Sequence, residues 1–214
     1  MRPQTVLTRL SAAARRTIMS KILIAVTAAL ALWSNGARAA QDLPDVCEPP
    51  CWRRLTIGLY NNVIAMRNAF DRVGKPVAVG ETADEMMGRP QFQYTEAPTR
   101  LRLYRVTGAD LGFRGDGNVS LEDIYDRALA LDYDLCPAEV GPMLRLDYLD
   151  QPRGEFLRIA HVPVNAYGGE PITFTVGFDG WTYLLLGDSG GLETPLPARW
   201  SVFVFCEPTL TASR

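Results

Sequence analysis

The sequence predicts an α+β fold, with N-terminal helices followed by a mainly antiparallel β-sheet in a single domain. Three observations carry that expectation. Between Leu55 and Leu131 apolar residues recur at helical spacing in three runs, each closed by turn residues. From Leu144 onward apolar and polar residues alternate, the period of a strand with one buried face. Asp179-Gly180 separates two such alternating runs, which is a hairpin signal. Helices first and strands afterwards indicate α+β.

In chain order, Leu59, Val63, Met66 and Phe70 mark a first helix from about Leu55, ended by Gly74. Thr82 and Glu85 form a capping box for a short second helix, closed by Gly88 and Pro90. Leu101 to Val106 reads as a strand. Gly115 to Gly117 makes a turn into a third helix, Ser120 to about Asp132, with Leu121, Ile124, Tyr125, Ala128 and Leu131 on its buried stripe. Strands follow around Leu144, Leu146 and Tyr148, over Glu155 to Val162, through Phe174, Val176 and Phe178, through Trp181, Tyr183 and Leu185, and from Trp200 to Cys206. The domain is expected over residues 55–208, behind a polar leader at 40–54.

Residues 1–39 hold no Asp or Glu. They combine Arg2, Arg9, Arg15, Arg16, Lys21 and Arg38 with a 12-residue apolar run, Ile22 to Trp33, and an Ala37-Arg38-Ala39 site. A basic flank, a short apolar core and small residues are the parts of an export signal. A membrane span needs about 20 residues, so no anchor is expected after cleavage. Arg15-Arg16 suits a twin-arginine route. Met19 as the true start leaves a compact general signal, and that start is preferred. Removing 1–39, with six of 22 Lys and Arg and none of 24 Asp and Glu, leaves 175 residues with a net charge of about −8. That balance argues against nucleic acid, whose phosphates need basic contacts. Cys47, Cys51, Cys136 and Cys206 are an even set, expected as disulfides in an oxidising compartment. Three pairings are open; a local 47–51 bridge with 136–206 as its complement is one. Zinc is the rival for the Cys47/Cys51 spacing, and only one His accompanies it.

Several motifs carry possible chemistry. Gly187-Asp188-Ser189-Gly190-Gly191 matches the nucleophile loop of chymotrypsin-like proteases. A triad needs a His in the right context, and the single His161 lies only 28 residues upstream, so a glycine-rich turn is expected instead. Gly115 to Ser120 resembles the middle of an EF-hand loop, which makes Asp116, Asn118, Ser120 and Asp123 calcium candidates. Arg114 falls at a ligand position and opposes a dication; a capping box from Ser120 to Asp123 explains the pattern better. His161 is a general-base candidate, but it shares a strand face with Leu157 and Ile159 and is expected to be buried. Cys136 with His161 is a thiol–imidazole candidate. Glu139, Asp147, Asp150 and Glu155 cluster in sequence and include candidate carboxylates for hydrolysis; solvated surface is the expectation for them. Phe174, Phe178, Trp181, Tyr183 and Trp200 are candidates for lining a groove. No metal or cofactor is expected.

The run Leu135-Cys136-Pro137-Ala138-Glu139-Val140-Gly141-Pro142 continues through Leu144-Arg145-Leu146, Tyr148, Asp150-Gln151-Pro152, Gly154-Glu155 and Ile159-Ala160. With Ala109 to Phe113, Ile124-Tyr125 and Arg127-Ala128 upstream, it resembles a family of small uncharacterised bacterial proteins over about residues 60–206. The resemblance implies a fold unit and no activity. The leader with Cys47 and Cys51 lies outside the family's pattern, Cys206 replaces Arg or another polar residue, and His161 replaces Met. Together these readings favour an exported, non-catalytic protein that binds a small ligand or an envelope partner. The alternatives are an exported hydrolase using a carboxylate pair or a Cys136/His161 site, and a disulfide-stapled structural domain.

Overall fold

The structure is a computed structural model and describes residues 51–208. The export signal, most of the leader, Cys47 and the tail from Thr209 lie outside these residues. In chain order the elements are β1 (Arg53–Ile57), α1 (Val63–Arg72), β2 (Val77–Val79), α2 (Glu81–Met87), β3 (Thr99–Thr107), β4 (Val119–Ser120), α3 (Leu121–Leu129), α4 (Val140–Asp147), β5 (Phe156–Ile159), β6 (Val164–Asn165), β7 (Pro171–Phe178), β8 (Tyr183–Ser189), β9 (Pro195–Leu196), a 3-10 turn (Ala198–Trp200) and β10 (Val202–Cys206). The class is α+β, but the helices are not gathered at the N-terminus. They are interleaved with strands.

The main sheet runs β1-β3-β10-β5-β7-β8-β2, with β6 paired to β7. It is mixed: β10 runs parallel to β5 and β2 parallel to β8, while the other pairs are antiparallel. The predicted hairpin is present between β7 and β8. Asp179 accepts from the N–H groups of Trp181 (2.7 Å) and Thr182 (2.8 Å), and Gly180 takes φ +106°, the conformation glycine adopts most readily.

Successive strand residues point to opposite faces, and each face has its own core. On the first, α1, α2 and α4 contribute Met66, Phe70, Ala83, Met86, Val140 and Leu144 to a core with Leu103, Leu157, Ile159, Phe174, Val176 and Leu185. Gly141 of α4 lies against the Phe174 ring, where an added Cβ would stand 2.6 Å from the ring. On the second, α3 packs Leu121, Ile124, Tyr125 and Ala128 against Val106, Phe203 and Phe205. The Ser120 hydroxyl caps α3, accepting from Asp123 N–H at 3.0 Å and pairing with its carboxylate at 2.7 Å.

Five local expectations are corrected. Residues 55–57 belong to strand β1, which pairs with β3 from Arg53 onward, so the sheet takes in the end of the expected leader. The first helix starts at Val63 behind the Asn62 side chain, leaving Leu59 exposed. The second starts at Glu81 after Gly80, with Thr82 already inside it and no side-chain cap. Leu144 and Leu146 lie in helix α4, not in a strand; Pro142 falls within its first turn, where no intrahelical N–H bond is lost. Leu131, expected on the buried stripe of the third helix, is 40% exposed beyond the end of α3.

Cys136 and Cys206 form a disulfide that closes a separation of 70 residues. Cys51 is also disulfide-bonded. Loop closure on this scale is worth about 4 kcal/mol in the chain-entropy account. Replacing both Cys136 and Cys206 by Ser should therefore lower the unfolding free energy by about that amount, read as a lower urea midpoint with a higher m-value, because the unfolded chain expands without the cross-link.

Candidate functional site

The residues that carry potential chemistry are engaged in structural bonds. His161 is fully buried. Its Nε2 accepts the Phe174 N–H at 3.0 Å, so the ring proton sits on Nδ1 and is donated to the Val162 carbonyl at 2.7 Å. Burial, with a smaller push from the Arg158 charge, lowers its pKa to about 4. The imidazole is a neutral bridge between backbone groups, as its apolar strand face predicts.

Cys136 does come beside His161. The two residues form an isolated parallel bridge, and Cys136 N–H donates to Ala160 at 2.7 Å. The sulfur, however, is bonded to Cys206, so no thiolate is available there. A hollow of about 420 Å³ opens at Cys136 between Gln91, Gln93, Pro137 and Val162, and its lining holds neither His161 nor a carboxylate.

The sequence-clustered carboxylates are taken up in structural bonds, with Glu139 set apart from the other three. Glu139, expected at the surface, is fully buried. Its oxygens accept the N–H groups of Gly58 and Thr95, each at 2.9 Å. Asp147 and Asp150 both grip Arg53, at 2.6 and 2.9 Å. Glu155 pairs with Arg105 at 2.9 Å and accepts from the Tyr148 hydroxyl at 2.9 Å. The calcium candidates are likewise separated: Asp116 pairs with Arg199 at 2.7 Å, Asn118 is exposed, and Ser120 and Asp123 cap α3. Among the described residues no group of three His, Cys, Asp or Glu is placed to hold a metal. In the glycine-rich loop, Ser189 pairs with Thr194 at 3.2 Å, and both His161 nitrogens are already engaged elsewhere.

One part of the sheet is left open. Helices α1, α2 and α4 feed the first core and α3 the second, whose sheet residues come mainly from β3 and β10, so on the half of the second face formed by β5, β7 and β8 the residues Phe156, Arg158, Thr175 and Asp188 lie outside both cores. Phe156, Arg158, Thr175 and Asp188 lie on this half-face by strand register. With Trp200 and Leu196 they surround a hollow of about 230 Å³. Phe156 lies over Gly177, where an added Cβ would sit 2.4 Å from the ring, so glycine is what lets the ring lie down. Trp200 is 71% exposed and carries the Arg199 guanidinium 4.7 Å from its ring centroid. Arg158 donates to Thr173 at 3.0 Å and to the Ser189 carbonyl at 2.8 Å, while its contact with Asp188 is loose, at 3.7 Å. The Thr175 hydroxyl has no hydrogen-bond partner although the residue is 6% exposed. Such a group costs about 1–3 kcal/mol.

Of the five aromatic residues expected to share a groove, only Trp200 reaches this hollow. Phe174 is core, Phe178 and Tyr183 stack on the helix-covered face with ring centroids 4.4 Å apart, and Trp181 projects from the hairpin, 81% exposed. The missed residues carry a signal: Thr173, Thr175 and Gly177 place small or polar groups opposite Phe174 and Val176. Comparison with known protein families, with curated proteins and with solved structures finds no match to this chain.

His161 makes stability depend on pH. Its folded pKa of about 4 lies below its ordinary 6.5. The contribution is therefore complete above pH 6.5 and is lost as pH falls toward 4, by roughly 3 kcal/mol in total. His161→Gln, which keeps an acceptor and does not titrate, should flatten the fall in thermal midpoint between pH 6.5 and 4.

Proposed function

We propose that this chain is an exported, non-catalytic binding domain whose ligand occupies the part of the sheet that lies outside the two cores. The observation that carries the reading is the unpaired Thr175 hydroxyl beneath a hollow bordered by Phe156 and Trp200. Small-ligand sites combine apolar walls with a few placed polar groups, and Arg158 and Asp188 supply the latter. The engagement of His161, Cys136, Glu139 and Glu155 in structural bonds favours binding over a hydrolase. The signal-like N-terminus and the Cys136–Cys206 bridge favour an envelope location. No helix among the described residues is long and apolar enough to cross a membrane, which is compatible with release after cleavage.

Export is tested by the intact mass of the protein in a periplasmic extract, alkylated before and after reduction. The expected product starts at Ala40 and takes up alkylating agent only after reduction. Alkylation of Cys136 without reduction would restore a thiol to the Cys136 hollow and move the hydrolase reading ahead. The binding face is tested by amide chemical shifts of the labelled mature protein against a fragment library. Shifts should concentrate at Phe156, Arg158, Thr175, Asp188 and Trp200. Shifts confined to the Gln91–Cys136 hollow would overturn the assignment.

A further inference from the structure

We propose that the hollow on the open half-sheet takes a sugar ring of an uncharged glycan; this rests on the binding reading above. The ring stacks on the aromatic border, and its hydroxyls engage Asp188, Arg158 and Thr175.

The chemistry of the walls selects the ligand class. Phe156 is laid on Gly177 with its outer face toward solvent, 44% exposed. Trp200 is braced from one side by Arg199, itself held by Asp116. Phe156 is thus seated on the sheet, and Trp200 has Arg199 near one face of its ring. An aromatic face is electronegative, and a pyranose presents a face of weakly positive C–H groups with its hydroxyls around the rim. An apolar side chain or a fatty chain would use the aromatic faces but leave the polar floor unpaired.

That floor pairs one donor group with one acceptor group. Arg158 is held in place by Thr173 and the Ser189 carbonyl through Nη1, leaving Nη2 directed toward Asp188 across 3.7 Å. The gap is too long for a direct hydrogen bond. Two neighbouring sugar hydroxyls can approach the pair from the hollow side, one donating to the Asp188 carboxylate and the other accepting from Nη2. Thr175 adds a third group: one χ1 step exchanges its hydroxyl with its methyl and gives the unpaired hydroxyl a partner in the hollow. Arg158 and Asp188 balance in charge, so a phosphate or a carboxylate would gain from one and be repelled by the other. The volume of about 230 Å³ is below that of a drug-sized pocket, which suits one ring of a longer chain passing over the exposed Trp200.

The test is a titration of the labelled mature protein with cellotriose, maltotriose and triacetylchitotriose, read by amide shifts and by tryptophan fluorescence. At least one should produce a saturable change at the Phe156–Trp200 hollow. Trp200→Ala and Asp188→Asn should each weaken its Kd at least tenfold, and Trp181→Ala should leave it unchanged. Thr175→Val should weaken binding severalfold without lowering the thermal midpoint, an effect that a purely structural hydroxyl would not show. Saturable binding indifferent to Trp200→Ala and Asp188→Asn would overturn the proposal. If the fragment library moves these resonances and none of the three saccharides does, the glycan class falls and the binding site stands. If neither moves them, both fall.

Discussion

The carboxyl group of Glu139 sits inside the protein between the N–H groups of Gly58 and Thr95, and those two residues mark where the chain leaves the sheet and comes back. After β1 it departs through Gly58, builds α1, the far-edge strand β2 and α2, and returns through Thr95 to β3 beside β1. The crossing is close: an added Cβ on Gly58 would stand 2.3 Å from the Ala97 carbonyl oxygen, and φ there is +75°. Buried N–H groups at such a crossing need partners. Glu139 supplies both from one side chain, just before α4. The same short segment is pinned to the sheet centre by the Cys136–Cys206 bridge and by the Cys136 N–H bond to Ala160. Loop departure, loop return, helix α4 and the central strands are thus fastened at one seam. The run from Leu135 to Pro142, singled out in the sequence by resemblance, is that seam.

Much of the fold was legible because its signals are local. Ser120 caps α3, the stripe Leu121, Ile124, Tyr125 and Ala128 is buried, and Asp179-Gly180 turns the hairpin. Helix α4 was not legible for two reasons. Gly141 and Pro142 are residue types that disfavour a helix interior, although the first is required by Phe174 and the second is harmless in a first turn. Arg145 also breaks the apolar period, because it is buried rather than solvated. It donates to Gln151 (2.6 Å), the Gly177 carbonyl (2.9 Å) and the Tyr148 carbonyl, and lies over the Tyr183 ring. A buried charged residue held by carbonyls and a ring looks like surface in a sequence.

The open half-face was harder to read for a related reason. Its members come from four separated segments, and a strand's polar side normally means solvent rather than a site. Asp188 and Trp200 drew notice for other motifs, a protease-like loop and a set of aromatics, that the fold takes apart. The proximity of Cys136 and His161 depends on a parallel bridge between segments that no local pattern foretells.

The order of the strands has a consequence for how the protein is made. β10, residues 202–206, follows every other described strand in the chain yet lies between β3 and β5. Until it emerges, the pair β1-β3 and the group β5-β7-β8-β2 have no strand to join them, and their inner edges stand open. The sheet is therefore completed only after residue 206 is free, by contacts distant in sequence, which slows folding. For the export proposed above, by the general route, this delay would keep the chain threadable. The same interval leaves the edges of β3 and β5 exposed to self-association.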